Sequence, residues 1–267
     1  MSPSLVLSYH AVSPRWPSVL SVSPGRFREQ LELLIERGYT GATFSQVVSG
    51  AAPRRSLVVS FDDGYASVLE HAVPIMRELD LPGTIFVPTD FVGAPGPMRW
   101  PGIDEWSEGP FREELRCLDW DQLRGLRDAG WEVGSHTRSH PRLSRLQDDA
   151  LLAELAGSRE RLREELGGDC RSLAFPYGDE DERVQRLAGQ AGYAAAASMR
   201  CGPEQPLCWP RVGVYPADRR WRFWLKTSPA IRMVRSTRLG RLADAARLSL
   251  AGGLPPVAEQ AGALIVI

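Results

Sequence analysis

Short apolar runs alternate with amphipathic stretches along the chain. Runs beginning at residues 5, 57, 84, 131, 172, 193 and 211 read as strands, the clearest being Leu5–Tyr9, Ser56–Phe61, Gly83–Val87 and Trp131–Ser135. They are short, β-rich and continuously apolar, as strands buried on both faces are. Helical spacing lies between them. Phe27, Leu31, Leu34 and Ile35 mark one face and Gly38 supplies a stop; Val68, Leu69, Ala72, Ile75, Met76 and Leu79 mark another, in a helix that Pro74 kinks or divides. Thr43 reads as the N-cap of a short helix through Val48. Further helices are expected over Asp119–Ala129, closed by Gly130, over Leu151–Leu166, and from Gly178 to Gly189 or Gly192. Alternating strands and helices predict a parallel sheet with crossover helices. Seven strands predict an α/β barrel-like closure rather than a short open sheet.

Beyond Arg219 the pattern changes, and the chain divides into a barrel over residues 1–225 and a helical extension over residues 226–267. In that extension Lys226, Arg232, Arg235, Arg238, Arg241 and Arg247 stand against Asp244 and Glu259, a balance of +4. Leu239, Leu242, Ala246 and Leu250 form an apolar stripe, so the extension either packs on the barrel or makes a peripheral membrane contact. The whole chain of 267 residues has a net charge of −1, which gives no case for nucleic acid. Cys117, Cys170, Cys201 and Cys208 form no C-x-x-C pair and read as free thiols. The N-terminus shows neither a basic region nor an apolar core of signal-peptide length, and no run reaches transmembrane length, so the expected location is cytoplasmic.

The candidate chemistry sits at two strand ends. Asp62 and Asp63 follow an apolar run and precede Gly64. Neighbouring side chains in a strand point to opposite faces, so two functional carboxylates side by side belong where the strand ends. Two of the four histidines, His136 and His140, share one short stretch before Pro141. A spacing of i and i+4 puts both imidazoles on one face of a helical turn, which Pro141 terminates. Two imidazoles and a carboxylate make a three-ligand metal site with an open position. One aspartate then binds the metal and the other remains to take a proton from water. A glycosidase pair is the competing reading, but its carboxylates must flank a bond about 5–9 Å apart. Residues 88–118 form a long Gly/Pro/Trp-bearing connection in which Trp100 and Trp106 either stack on sugar rings or pin the loop. His71, mid-helix, reads as a solvated residue.

Ser60-Phe61-Asp62-Asp63-Gly64 together with Ser135-His136-Thr137-Arg138-Ser139-His140 resembles the first two motifs of the polysaccharide deacetylases. Phe175-Pro176-Tyr177-Gly178 resembles the third, and the similarity covers roughly residues 4–215. The resemblance implies a distorted (β/α)7 barrel, with Asp62 as general base and Asp63, His136 and His140 holding a divalent ion: zinc first, with cobalt or nickel as alternatives. It also implies that the Tyr177 main-chain N–H helps form an oxyanion hole. Two features depart from the family pattern. Leu173-Ala174-Phe175 holds no arginine ahead of Pro-Tyr-Gly, and no histidine follows His140. A circularly permuted subgroup carries the missing histidine in an N-terminal Tyr-His, which Tyr9-His10 matches. In that arrangement His10 is the general acid. Arg211 either replaces the missing arginine and orients Asp62 or makes a surface ion pair. The activity implied is removal of an N-acetyl group from an amino sugar such as N-acetylglucosamine, in a polymer, an oligosaccharide, a lipid-linked form or a small glycoside. Without a secretion signal, a lipid-linked or small substrate is expected over an extracellular polymer. The alternatives are a non-catalytic carbohydrate-binding barrel and a hydrolase of another C–N amide bond.

Overall fold

In the computed structural model, which describes residues 4–199 and 202–236, each of the seven apolar runs is a strand. The strands are β1 (Leu5–Tyr9), β2 (Ala11–Val12), β3 (Ser21–Val22), β4 (Thr40–Gly41), β5 (Ser56–Phe61), β6 (Gly83–Val87), β7 (Glu132–Ser135), β8 (Ser172–Ala174), β9 (Ala195–Ser198), β10 (Trp209–Pro210) and β11 (Val212–Gly213). The helices are α1 (Pro24–Glu36), α2 (Phe44–Val48), α3 (Val73–Glu78), α4 (Trp120–Asp128), α5 (Asp148–Leu166), α6 (Glu182–Gln190), α7 (Arg220–Lys226) and α8 (Pro229–Ser236).

The main sheet runs β10-β9-β8-β7-β6-β5-β1-β11, and all its pairings are parallel. Its two outermost strands are consecutive in the chain. Trp209 and Pro210 pair with Ala197 and Ser198, whereas Val212 and Gly213 pair with Leu7 and Ser8. The last stave, expected as a single strand from Arg211, therefore changes partner at Arg211 and closes the ring. The Arg211 N–H donates to the Ser198 carbonyl and the Val214 N–H to that of Ser8, both at 2.9 Å. The result is the seven-stave (β/α) barrel that the strand count predicts. β2 and β3 form a separate two-stranded pair.

Period-two alternation sorts the strand residues into two buried layers. Leu5, Leu7, Tyr9, Leu57, Val59, Phe61, Ile85 and Val87 belong to the large core shared with the outer helices. Val6, Val58, Phe86, Ala174, Ala195 and Ala197 form a second cluster with Phe44 and Val47 of α2, which plugs the amino end of the barrel. There the Phe44 N–H donates to Thr84 Oγ1 at 3.0 Å, and the Gln46 side chain accepts from the Thr43 N–H at 2.9 Å, as its N-cap position requires. The Trp131 ring packs directly on the start of β6 and needs Gly83 there: a Cβ would lie 2.3 Å from the ring.

Pro74 divides its helix as expected. Pro74 lacks the N–H of an ordinary helix turn and its ring crowds the carbonyl four residues back. The backbone accommodates this with a π-helical turn over Val68–Ala72 before α3. The expected boundary after residue 225 falls at the end of α7. α8 is helical, residues 237–267 with the Leu239–Leu250 stripe lie outside the described residues, and so does Cys201. Cys117 and Cys170 are free.

Candidate active site

The inward register of β1 and β5 leads straight to the site. Val6 and Ser8 precede His10 on one strand; Val58 and Ser60 precede Asp62 on the other. The Asp62 N–H extends the ladder to the Tyr9 carbonyl at 2.9 Å, so Asp62 keeps the inward direction. Small residues lining the barrel leave room for the Arg211 side chain, which reaches Asp62 from the closing stave. Arg211 Nη1 and Nη2 bind Asp62 Oδ1 and Oδ2 at 2.7 and 2.8 Å, a fork-on-carboxylate pair buried on both sides. Nη1 also donates to Ser60 Oγ at 3.1 Å, Ser60 Oγ donates to the Leu7 carbonyl at 2.6 Å, and Ser8 Oγ donates to Asp62 Oδ2 at 3.2 Å. The Arg211 guanidinium carbon lies 5.6 Å from the centre of the Phe86 ring. Of the two readings of Arg211, the surface ion pair is excluded by its burial.

Asp63 takes a different direction because its backbone does. At φ 69° it is left-handed, and so is Gly64 at φ 69°. A Cβ on Gly64 would meet Val87 Cγ1 at 2.8 Å, so glycine is required there by space as well as by torsion. The turn carries the Asp63 carboxylate out of the strand's alternation and towards the loop after β7. Asp63 Oδ1 lies 3.4 Å from His136 Nε2 and 3.2 Å from His140 Nε2.

That loop is not helical. Thr137 and His140 have φ 65° and 62°, so the two histidines lie on an irregular turn rather than on one face of a helical turn. The spacing of four residues is shared by a helix and this loop, and Pro141 disfavours helix at His140. The imidazoles still converge, through different anchors. His136 Nδ1 hydrogen-bonds the Ala174 carbonyl at 2.8 Å, which fixes the ring with Nε2 towards Asp63. His140 is stacked on Trp100 with centroids 4.1 Å apart and edge-on to Tyr177 at 4.6 Å. Trp100 is 6% exposed and so pins the 88–118 connection to the loop that carries His140; Trp106 packs edge-on against Trp16 and Phe111. Four of the six described non-glycine residues at positive φ are Asp63, Thr137, His140 and Tyr177, so backbone strain is concentrated at one spot.

Tyr177 occupies the turn Pro176–Gly178 after β8, at φ 60°. The N–H groups of Gly178 and Asp179 donate to the carbonyls of Phe175 and Pro176, whereas the Tyr177 N–H enters neither bond. Its hydroxyl donates to the Pro101 carbonyl at 3.3 Å and the Arg142 guanidinium lies 4.6 Å from its ring centre. His10 is half-buried and immediately follows β1. His71 is half-buried in the π-helical turn beside Glu70.

The electrostatics separate the two carboxylates. Burial pushes Asp62 up, but the charges of Arg211 and His136 and the Arg211 hydrogen bonds bring it below the usual carboxylate value. Burial also pushes Asp63 up, and His136 and His140 outweigh it to hold Asp63 well below that value. His136 is disfavoured as a cation by burial yet ends raised by Asp63 and Asp62; burial wins at His140, which ends lowered.

A cation fits this arrangement. Among the described residues, Asp63, His136 and His140 are the group whose ligand atoms all lie within 4.8 Å of one another. Asp63 Oδ1 and His140 Nδ1 are buried and have no hydrogen-bond partner. An ionised carboxylate oxygen surrounded by imidazole nitrogens and given no donor is an incomplete site that a divalent ion would complete.

Ser8, Ser60 and the Ala174 carbonyl support the site and were not expected from the sequence. The two serines had a signal: each is the polar residue two before His10 or Asp62 in an otherwise apolar strand.

Residues 49–196 match the family described as polysaccharide deacetylase. The poly-beta-1,6-N-acetyl-D-glucosamine N-deacetylase of Staphylococcus aureus strain MSSA476 is 24% identical over 184 residues, covering 63% of this chain and 59% of that protein. The chain spans less than two thirds of the length of such curated relatives. IcaB from Ammonifex degensii superposes with a TM-score of 0.70 at 23% identity, over 85% of this chain and 98% of that one. Streptococcus pyogenes deacetylase PplD, solved in complex with acetate, gives 0.69 at 21%, over 84% and 98%.

Proposed function

The chain belongs to the polysaccharide deacetylase family, and from that membership we propose that it hydrolyses the N-acetyl group of an amino-sugar substrate, releasing acetate. The observation that carries the reading is the division of labour between adjacent aspartates, one clamped by Arg211 and the other turned towards two imidazoles. Asp63, His136 and His140 would hold the ion. Zinc suits two imidazoles and a carboxylate, and cobalt or nickel suits the same donors. Such an ion supplies Lewis-acid activation of water and of the acyl oxygen.

The remaining steps belong to the protein. Asp62, kept ionised and oriented by Arg211, accepts the proton of the attacking water. The Tyr177 N–H donates to the oxyanion that forms on the acyl carbon; one donor of this kind is worth about 2.7–4 kcal/mol. His10 gives a proton to the departing sugar nitrogen, a step that contributes roughly 10²–10⁴-fold. Arg211 acts through Asp62 and is a positioning residue.

A screen for acetate release across N-acetylated monosaccharides, oligomers and lipid-linked forms tests the reading, with metal analysis of the same protein. Release that chelation abolishes and zinc restores is the expected result. Release indifferent to chelation, or protein that takes up no divalent ion, would overturn it.

A further inference from the structure

The barrel end opposite Asp62 carries a surface that this reaction does not use. Residues 219–236 contain Arg219, Arg220, Arg222, Lys226, Arg232 and Arg235 and no Asp or Glu. One side of this segment is fastened to the barrel. Phe223 is buried, Arg37 Nη1 donates to Thr227 Oγ1 at 3.0 Å, and Arg232 Nη2 donates to the Ser4 carbonyl at 2.6 Å. The other side is apolar: Trp221, Trp224, Met233 and Val234 are 57%, 51%, 59% and 61% exposed, and they are the exposed large hydrophobic residues of the described chain.

Cations from a distant part of the sequence gather beside it. The Arg37 guanidinium lies 5.9 Å from the Trp224 ring centre and 6.0 Å from that of Tyr39, and Arg55 lies 5.4 Å from the same Tyr39 ring, with exposed Arg54 next to it. The position of this corner is fixed by the strands. Ser4 and Arg55 immediately precede β1 and β5, whereas His10 and Asp62 immediately follow them. The length of a strand, about 16 Å for five residues, separates the corner from the active site.

We propose that this corner docks on an anionic lipid surface. Lys226 is engaged by Asp218 at 2.6 Å and Arg232 by Ser4, so Arg54 and Arg55 are the cations of this corner offered to lipid phosphates. Exposed indoles beside arginines match the water–lipid boundary, where the ring is buried and its N–H stays wet. Met233 and Val234 add aliphatic surface that a polyanion such as nucleic acid would leave uncovered. No described helix is long and apolar enough to cross a membrane, and the contact proposed is peripheral. With this end on the lipid, the active-site mouth faces away from it, towards substrate that is not in the same leaflet.

The test uses the full chain with vesicles of phosphatidylcholine alone or mixed with phosphatidylglycerol. Sedimentation with the anionic vesicles is expected, falling as salt rises to roughly 0.5 M, where screening is much shorter-ranged than 10 Å. Arg54→Gln with Arg55→Gln should weaken partition about 30-fold at low salt, from about 1 kcal/mol per basic residue. Trp221→Ala with Trp224→Ala should abolish quenching of tryptophan emission by brominated lipids that depends on vesicle binding. Thermal unfolding of both variants should match the parent, since none of the four side chains is buried. Binding without preference for anionic lipid, binding insensitive to salt, retention on heparin without vesicle binding, or variants that partition like the parent would each overturn the proposal.

Discussion

Asp62 and Asp63 are neighbours in the chain and opposites in environment. Asp62 receives two guanidinium donors and a serine hydroxyl, all fixed by the barrel. Asp63 has an oxygen buried with no donor, facing two imidazole nitrogens at 3.2–3.4 Å. The backbone makes the difference. Asp62 continues the β5 ladder, and one left-handed residue later the carboxylate has left the strand's alternation. A saturated carboxylate is held in charge and direction, as a base requires; an unsaturated one waits for a cation. Adjacency in sequence therefore says little about shared chemistry when a strand ends between the two residues.

The largest effect should come from the unsaturated side. Asp63→Ala should lose the divalent ion and reduce acetate release to background, measured by metal analysis and turnover on one protein sample. Retained metal with retained turnover would erase the contrast between the two aspartates. The saturated side should behave differently: Asp62→Asn should keep the ion while lowering kcat. His10→Ala belongs with it, with a loss of roughly 10²–10⁴-fold in kcat and unchanged metal content. Near-normal turnover of His10→Ala on an unactivated N-acetyl sugar would remove the general-acid role.

Much of the barrel was legible because fully buried strands are written as uninterrupted apolar runs, as in Leu5–Tyr9 and Ser56–Phe61. The closing stave was less so. Arg211–Val214 looks like one strand, and its change of partner depends on Ser198 on one side and Ser8 on the other, far apart in sequence. Asp62, Asp63, His136 and His140 were visible as residues, but the residues alone left open which aspartate does which task; the resemblance assigned them. The His136–His140 loop misled because a spacing of four is ambiguous, and the positive φ of Thr137 and His140 is carried without a glycine to announce it. The Ala174 carbonyl that holds His136 is backbone and leaves no trace in side-chain pattern.

Arg211 offers a sharper probe of the saturated side. Removing one member of a buried ion pair costs about 3–5 kcal/mol, because the other charge is left unpaired. Arg211→Met should be destabilising on that scale in denaturant unfolding, and adding Asp62→Asn should recover part of the loss. The pH dependence has a definite sign. The Asp62 carboxyl is depressed in the folded protein, so its contribution is present above the ordinary aspartate value of about 3.9 and is lost as pH falls through the lower folded value. In metal-free protein, Asp62→Asn should flatten the acid limb of stability against pH. An unchanged acid limb would mean that Asp62 is not held charged by this pocket.

The smallest effect is expected at Ser60, and it tests whether the pocket works as one unit. Ser60 Oγ accepts from Arg211 Nη1 at 3.1 Å and donates to the Leu7 carbonyl at 2.6 Å, so it links the clamp to the β1 backbone. Ser60→Ala removes both bonds at little change in volume. The Arg211 fork still has both Asp62 oxygens, so the cost should stay near that of one or two hydrogen bonds, about 1–3 kcal/mol. A serine that only fills space would show the same loss whether or not Arg211 is present. A serine that positions the guanidinium should show less in an Arg211→Met background, with a coupling of roughly 0.5–3 kcal/mol. The kinetic signature follows from the same link. Because Ser60 touches Arg211 and not the expected metal ligands, Ser60→Ala should lower kcat modestly, leave metal content alone, and be rescued by threonine more than by valine. Strict additivity with Arg211→Met would separate Ser60 from the clamp and reduce the organised pocket to Arg211 and Asp62 alone.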